Sequence, residues 1–93
     1  MVKIKASKSI TELKKGDHVN VDGKMLEVDA QYVFEDYKTT REMIIELFDP
    51  NSKKDEEGEY QIRYFSDQVE DSLKFYELKA IVYEEKEIEK IEW

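Results

Sequence analysis

The sequence predicts a mainly β protein that forms a small, partly open β-barrel with one short helical turn. Three observations support this class: a hairpin with a two-residue Asp-Gly turn, several short segments of alternating hydrophobicity, and a length of 93 residues. That length and a hydrophobic fraction of 40% predict a single domain over residues 1–93 with one core. A small sheet of this kind closes partly because closure hides its edge strands.

The hairpin is the strongest local signal. Asp22 and Gly23 both tolerate positive φ, as a type I′ turn requires, so they are predicted to join strands at 18–21 and 25–28. A two-residue loop sets the register, and side chains alternate between the faces of a strand. Four aliphatic side chains therefore share the predicted core face: Val19, Val21, Leu26 and Val28.

The segment before the hairpin contains a strand and a turn. Apolar residues alternate with lysines over 2–6, which predicts an amphipathic first strand. Residues 9–13 are expected to make a short turn that places Ile10 and Leu13 in the core.

The middle of the chain continues the β pattern. The second hairpin strand is expected to extend through Phe34, with residues 35–40 as its exposed end. Alternating apolar residues predict strands at 42–48 and 59–65, separated by a polar loop at 50–58.

The C-terminal third is less regular. Residues 66–78 fit either a helix or a short strand, and we favour a helical turn near 67–72 followed by irregular chain. Residues 80–83 predict a strand, which the charges at 84–87 are expected to end. Residues 88–93 predict a last strand or a short helix.

Composition limits the classes of function. The formal charge of −8 repels phosphate groups, so we expect no binding to duplex DNA. The N-terminal third is nevertheless rich in lysine. Cysteine is absent, which excludes disulfides and thiolate metal sites. No apolar run is long enough for a membrane span or a signal segment, and the cytoplasm is the expected compartment. Many lysines and glutamates without cysteine are typical of thermophile proteins.

A family resemblance is carried by residues 10–17 (ITELKKGD), 21–24 (VDGK) and 27–28 (EV). These segments resemble the N-terminal domain of elongation factor P and its counterpart in the hypusine-containing translation initiation factor. The resemblance implies an SH3-like barrel and an association with translation or ribonucleoproteins. That family presents a modified lysine on a glycine-rich loop. The matching segment here, 33–41, has no glycine, and Lys38 lacks the expected neighbours, so that role is not carried over.

Catalysis is not expected. Without cysteine, nucleophilic chemistry would depend on serine and on His18, the only imidazole in the chain. His18 follows Asp17, but its place in the hairpin puts it outward and opposite Glu27, as a surface pair. We therefore expect neither an enzyme nor a cofactor.

Aromatic residues spread through the strands suggest a binding surface instead. A stacking platform on a small barrel suits a non-enzymatic binding module with a protein or ribonucleoprotein partner. An alternative is that the tyrosines bury their rings in the core and leave only their hydroxyls in water. Six aromatic residues could form the platform: Tyr32, Phe34, Tyr37, Tyr60, Tyr64 and Tyr76. The five predicted binding residues are Tyr32, Tyr37, Lys38, Tyr60 and Tyr64. The sequence does not indicate an oligomeric state.

An acidic calcium-binding protein is the alternative function. Hard cations need several converging carboxylates. The segment from Asp49 begins like an EF-hand loop, but Lys53, Lys54 and Tyr60 occupy positions where that loop needs a ligand, a glycine and a glutamate. Two other groups of carboxylates are candidate ligands. The favoured group lies around the loop after residue 50: Asp55, Glu56, Glu57 and Glu59. The other comprises Glu84, Glu85, Glu87 and Glu89.

Overall fold

The structure is a computed structural model that describes residues 2–52 and 58–93. Its elements are short strands with two brief helical turns. In chain order they are β1 (Lys3–Lys5), a 3-10 helix (Ile10–Glu12), β2 (His18–Val21), β3 (Lys24–Asp36), β4 (Arg41–Phe48), β5 (Glu59–Phe65), α1 (Val69–Ser72), β6 (Lys74–Lys79), β7 (Val82–Lys86) and β8 (Lys90–Glu92).

All eight strands belong to one sheet with the order β1-β8-β2-β3-β4-β5-β6-β7. Strands β2 to β7 form an antiparallel meander, and β8 returns to lie between β1 and β2. The pairing of β8 with β1 is parallel. The sheet curls around its buried face without joining β1 to β7, so the predicted mainly β, partly open barrel is confirmed.

The β2–β3 hairpin has the predicted register. His18 pairs with Glu27 and Val21 with Lys24, on either side of the two-residue turn. Asp22 has φ of 50° and Gly23 has φ of 89°, as a type I′ turn requires. The four predicted core side chains of this hairpin are all buried: Val19, Val21, Leu26 and Val28.

Substituting Gly23 with valine is expected to lower the free energy of unfolding by about 1–3 kcal/mol, because a β-branched residue resists positive φ. A Cβ at this position would meet no atom within 4 Å, so the cost is conformational and not steric. Denaturant unfolding measures it. Gly23→Asn is the matched control, since asparagine tolerates this conformation and should cost less. Equal stability of the valine variant and the parent would contradict the turn assignment.

The core lies on the concave face of the sheet. Its buried side chains come from every strand except β1 and β7, and from the segment before β2. Ile10 and Leu13 are both 3% exposed, as predicted for the turn at 9–13. That turn is a 3-10 helix whose first residues are held by a capping box between Ser9 and Glu12.

Strand β3 is the longest element and it bends. Its pairing with β4 shifts register between Val28 and Ala30 and again between Val33 and Glu35. Such bulges increase the local twist, and they let one long strand follow the curl of the sheet. Beyond the first bulge the side chain of Gln31 lies on the core face, where it pairs with Ile45, and Tyr32 lies on the outer face.

In the C-terminal third, the structure differs from three of the predictions. The helical turn is present as α1, but the chain after it forms β6 and is not irregular. Ala80 and Ile81 form the turn between β6 and β7 instead of beginning a strand. The charges at 84–86 do not end the strand, because β7 lies at the sheet edge, where charged side chains stay in water.

Candidate functional site

The structure does not place the five predicted binding residues on one surface. Tyr32 is 41% exposed on the outer face of the sheet, and Tyr37 is 51% exposed in the turn after β3. Lys38 is exposed in the same turn. Tyr60 and Tyr64 are only 5% and 1% exposed, so these two belong to the core and cannot serve as a stacking platform.

The burial of Tyr60 and Tyr64 has a simple cause. They alternate along β5 with Ile62, and all three side chains face the concave side of the sheet. The ring of Tyr60 stacks on Phe75 with centroids 5.3 Å apart, and its hydroxyl accepts a hydrogen bond of 2.8 Å from Lys24 Nζ. Tyr60 and Tyr64 therefore follow the alternative prediction, in which the tyrosine rings are buried in the core.

The turn at 37–40 is compact. The ring of Tyr37 lies 6.0 Å from that of Phe65, and its backbone N–H donates to the carbonyl of Thr40. Lys38 has φ of 74°, and its N–H donates to Asp36 Oδ1. Tyr37 and Lys38 thus form a small exposed corner beside β5.

A different group of aromatic side chains gathers on the outer face. Arg63 is central to it, because its guanidinium carbon lies 4.3 Å from the ring centroid of Tyr76 and 5.9 Å from that of Phe34. Ile44 pairs with both Tyr32 and Arg63 on this face and is 2% exposed beneath its neighbours. We name the following residues the outer aromatic surface: Tyr32, Phe34, Arg63, Tyr76 and Tyr83.

Hydrogen bonds order this surface. Arg63 donates from Nε and Nη2 to Gln61 Oε1 at 3.1 Å and 3.0 Å, and these two bonds fix the position of the guanidinium beside the rings. Tyr32 donates its hydroxyl to Glu46 Oε1 at 3.0 Å. Partial burial raises the pKa of Tyr32, and the charge of Glu46 raises it further. Burial also raises the pKa of Tyr83, with additional contributions from Glu59 and Glu46.

Phe34 and Tyr76 belong to the predicted platform but not to the five predicted binding residues, and Arg63 and Tyr83 belong to neither. Arg63 lies between Ile62 and Tyr64, so the alternation of β5 already indicates that it faces outward. The position of Tyr83 depends on the β6–β7 hairpin, whose turn carries no glycine, asparagine or proline and gives little signal in the sequence.

His18 lies where the hairpin register predicts, outward and opposite Glu27. The distance from His18 Nε2 to Glu27 Oε1 is 3.5 Å. Its neighbour Asp17 is engaged elsewhere, because it accepts hydrogen bonds from Lys8 Nζ and from the backbone of Lys14. These bonds hold the pKa of Asp17 below its usual value.

The predicted calcium ligands lie mostly beyond the described residues. Asp55, Glu56 and Glu57 fall outside the two described ranges. Glu59 is exposed at the start of β5, where it pairs with Phe48. Within residues 2–52 and 58–93, no three histidine or acidic side chains converge in a way that could hold a metal ion.

A cleft of about 320 Å³ opens at one end of the barrel. Three of its charged side chains, Lys24, Glu77 and Lys86, are already paired. Lys24 contacts Tyr60 and Asp49, and Glu77 Oε1 lies 3.2 Å from the ammonium groups of Lys79 and Lys86. These last two contacts are ion pairs without hydrogen-bond geometry. Burial opposes ionisation of Glu77, but the two lysines outweigh it and lower its pKa.

Comparison with known proteins gives no relative. No family model, no curated protein and no solved structure matches this chain. Among the residues that the structure describes, no helix is long and apolar enough to cross a membrane.

Proposed function

We propose that this chain is a non-enzymatic binding module that contacts an extended segment of a protein partner through its outer aromatic surface. The observation that carries the proposal is the arrangement of Phe34 and Tyr76 around Arg63 on the outward face of the sheet. Phe34 is 55% exposed and Tyr32 is 41% exposed. Aromatic residues and arginine are the types enriched in the energetically dominant parts of protein interfaces.

The chemistry of this surface favours a peptide over a nucleic acid. Glu46 lies within hydrogen-bonding distance of Tyr32, and Glu59 and Glu46 both act on Tyr83. Carboxylates beside the rings would repel phosphates, and the whole chain carries a formal charge of −8. An apolar or proline-containing peptide can instead lay its side chains on the rings without a charge penalty.

The proposal extends to translation-associated or ribonucleoprotein partners only through the resemblance carried by residues 10–17, 21–24 and 27–28. Cosedimentation with ribosomes tests this extension separately. Binding that survives at moderate salt and is lost on substitution of the outer aromatic surface would support it. A chain that stays in the supernatant at every salt concentration would remove the extension and leave the binding module in place.

Selection from a random twelve-residue peptide library against the folded protein tests the main proposal. We expect enriched peptides to shift backbone amides of β3 and β5, and Phe34→Ser or Arg63→Ala to weaken their binding at least tenfold. Met25→Ser is the matched control, because Met25 is 47% exposed on the β2–β3 hairpin, apart from this surface. Peptides that bind all variants equally, or no enrichment at all, would contradict the proposal.

A further inference from the structure

Strand β7 has an open edge. Among the described strands it pairs only with β6, and its other side has no neighbour in the sheet. The two-residue turn makes Lys79 and Val82 the pair that closes the hairpin, and hydrogen-bonded and non-hydrogen-bonded pairs then alternate along it. The backbone N–H and C=O groups of Tyr83 and Glu85 therefore point away from β6, toward the open edge.

A groove of about 330 Å³ lies at the C-terminal end of this edge, where Glu85 and Lys86 line it. It lies between β7 and the segment that leads into β1, and four apolar side chains line it: Val2, Leu73, Phe75 and Ile88. All four belong to the core cluster or pack against it, so the groove is the seam where the curled sheet fails to close. An added strand would find hydrogen-bonding groups along one side, and an apolar floor beneath the part of it that lies beside Glu85 and Lys86.

The other end of the edge is apolar as well. Ile81 is 94% exposed at the tip of the β6–β7 hairpin, and the adjacent Val82 is 56% exposed. Ile81 is thus a large hydrophobic residue with almost its whole surface in water. An extended chain along β7 would cover apolar surface at both ends of the strand.

The charges near β7 determine which kind of strand can pair with it. Four glutamates and one lysine lie between residues 84 and 89. Lys86 is paired with Glu77, and Glu85 Oε1 lies 3.9 Å from Lys74 Nζ at an exposed position. Pairing β7 with β7 of a second copy would bring these glutamates together, which is unfavourable for directly opposed like charges. A basic strand would instead be attracted to them.

We propose that a lysine- or arginine-rich extended segment of a partner protein pairs with β7 as an additional strand, and closes the seam of the barrel. This inference goes beyond the proposed function, because it assigns a second docking site, at the β7 edge, to a partner segment of different chemistry. Addition of a strand to a sheet edge draws affinity from main-chain hydrogen bonds and specificity from alternate side chains. The charges then favour a basic segment, because they oppose pairing of β7 with β7 of a second copy.

The test uses an eight-residue peptide of alternating lysine and valine, with a glutamate–valine peptide as its control. We expect saturable binding of the lysine peptide, slowed hydrogen exchange at the amides of Tyr83 and Glu85, and no binding of the glutamate peptide. Glu85→Gln removes the charge and keeps the N–H, so it should weaken binding a few-fold. Glu85→Pro also removes the outward N–H and should weaken binding at least tenfold more, while the β6–β7 ladder stays intact.

N-methylated forms of the lysine peptide test the docking mode without altering the protein. Methylation of one alternate set of peptide nitrogens should abolish binding, and methylation of the other set should leave it unchanged. Equal effects of both sets, absence of binding, or protection that appears only on the outer aromatic surface would overturn the inference. The last result would leave the proposed function standing. If the library selection failed and the lysine peptide still bound β7, the strand-addition inference would stand and the proposed function would be contradicted.

Discussion

Replacing Asp22 with valine is expected to lower the free energy of unfolding by about 2–4 kcal/mol. Two losses combine. Valine resists the φ of 50° that Asp22 adopts in the turn. The substitution also removes a carboxylate that accepts hydrogen bonds from the backbone N–H groups of Glu89, at 3.0 Å, and Lys90, at 2.8 Å. These bonds hold the start of β8 against the β2–β3 hairpin.

Thermal unfolding measures this effect. For a domain of this size the expected loss corresponds to a fall in melting temperature of roughly 10–20 °C. Asp22→Asn is the matched control, because asparagine tolerates the turn conformation and keeps an acceptor oxygen. It should therefore lose less than half as much stability. An asparagine variant as unstable as the valine variant would show that the carboxylate charge, and not the turn, carries the contribution.

Replacing Gln31 with leucine is the second large prediction, with an expected loss of about 2–4 kcal/mol. Gln31 connects the core to the 3-10 helix. Its amide nitrogen donates to the carbonyls of Ile10, at 3.2 Å, and Leu13, at 2.7 Å. Its amide oxygen accepts a hydrogen bond of 2.5 Å from the hydroxyl of Tyr64. Leucine fills a similar volume, but it leaves these polar groups without their partner.

A double-mutant cycle identifies the mechanism of this loss. Tyr64→Phe alone should cost about 1–2 kcal/mol, because it leaves the Gln31 oxygen unpaired. With leucine already at position 31, the same change should cost much less, since the bond no longer exists. Denaturant unfolding of the four proteins measures the coupling. Strictly additive losses would mean that the two side chains stabilise the protein independently.

The same tyrosine predicts a dependence on alkaline pH. Burial raises the pKa of Tyr64 to about 12, from 10.0 for an exposed tyrosine. Between these values the unfolded chain loses a proton that the folded chain retains, so stability is complete below pH 10 and falls as the pH rises toward 12. Tyr32 and Tyr83 act in the same direction. The fall should accordingly be smaller, but still present, in Tyr64→Phe.

The β2–β3 hairpin was predictable because its determinants are local. Asp22 and Gly23 can both adopt the positive φ of the turn, and a loop of two residues leaves one register that buries all four aliphatic side chains. The fold class followed from the same alternation. The β6–β7 turn was missed because Ala80 adopts a φ of 56° without the residue types that favour it, held there by the ladders on either side.

The candidate site was only partly predictable. Alternation along β5 separates Tyr60 and Tyr64 from Arg63, but alternation alone does not say which face is buried. The structure settles this point, because the two tyrosines pack against residues from strands distant in sequence. The outer aromatic surface likewise assembles from β3, β5, β6 and β7, whose side chains meet only after the sheet has formed.

The sequence by itself determined the β class, the first hairpin with its register, and the lack of cysteine chemistry. These properties depend on single residues and on neighbours a few positions apart. The tertiary structure alone decided which tyrosines are buried and that the seam beside β7 stays open. It also decided that the Asp22 carboxylate binds the backbone of Glu89 and Lys90, which lie more than sixty positions later in the chain. The physical reason is that strand pairing and curl bring together groups whose separation along the chain carries no local signal.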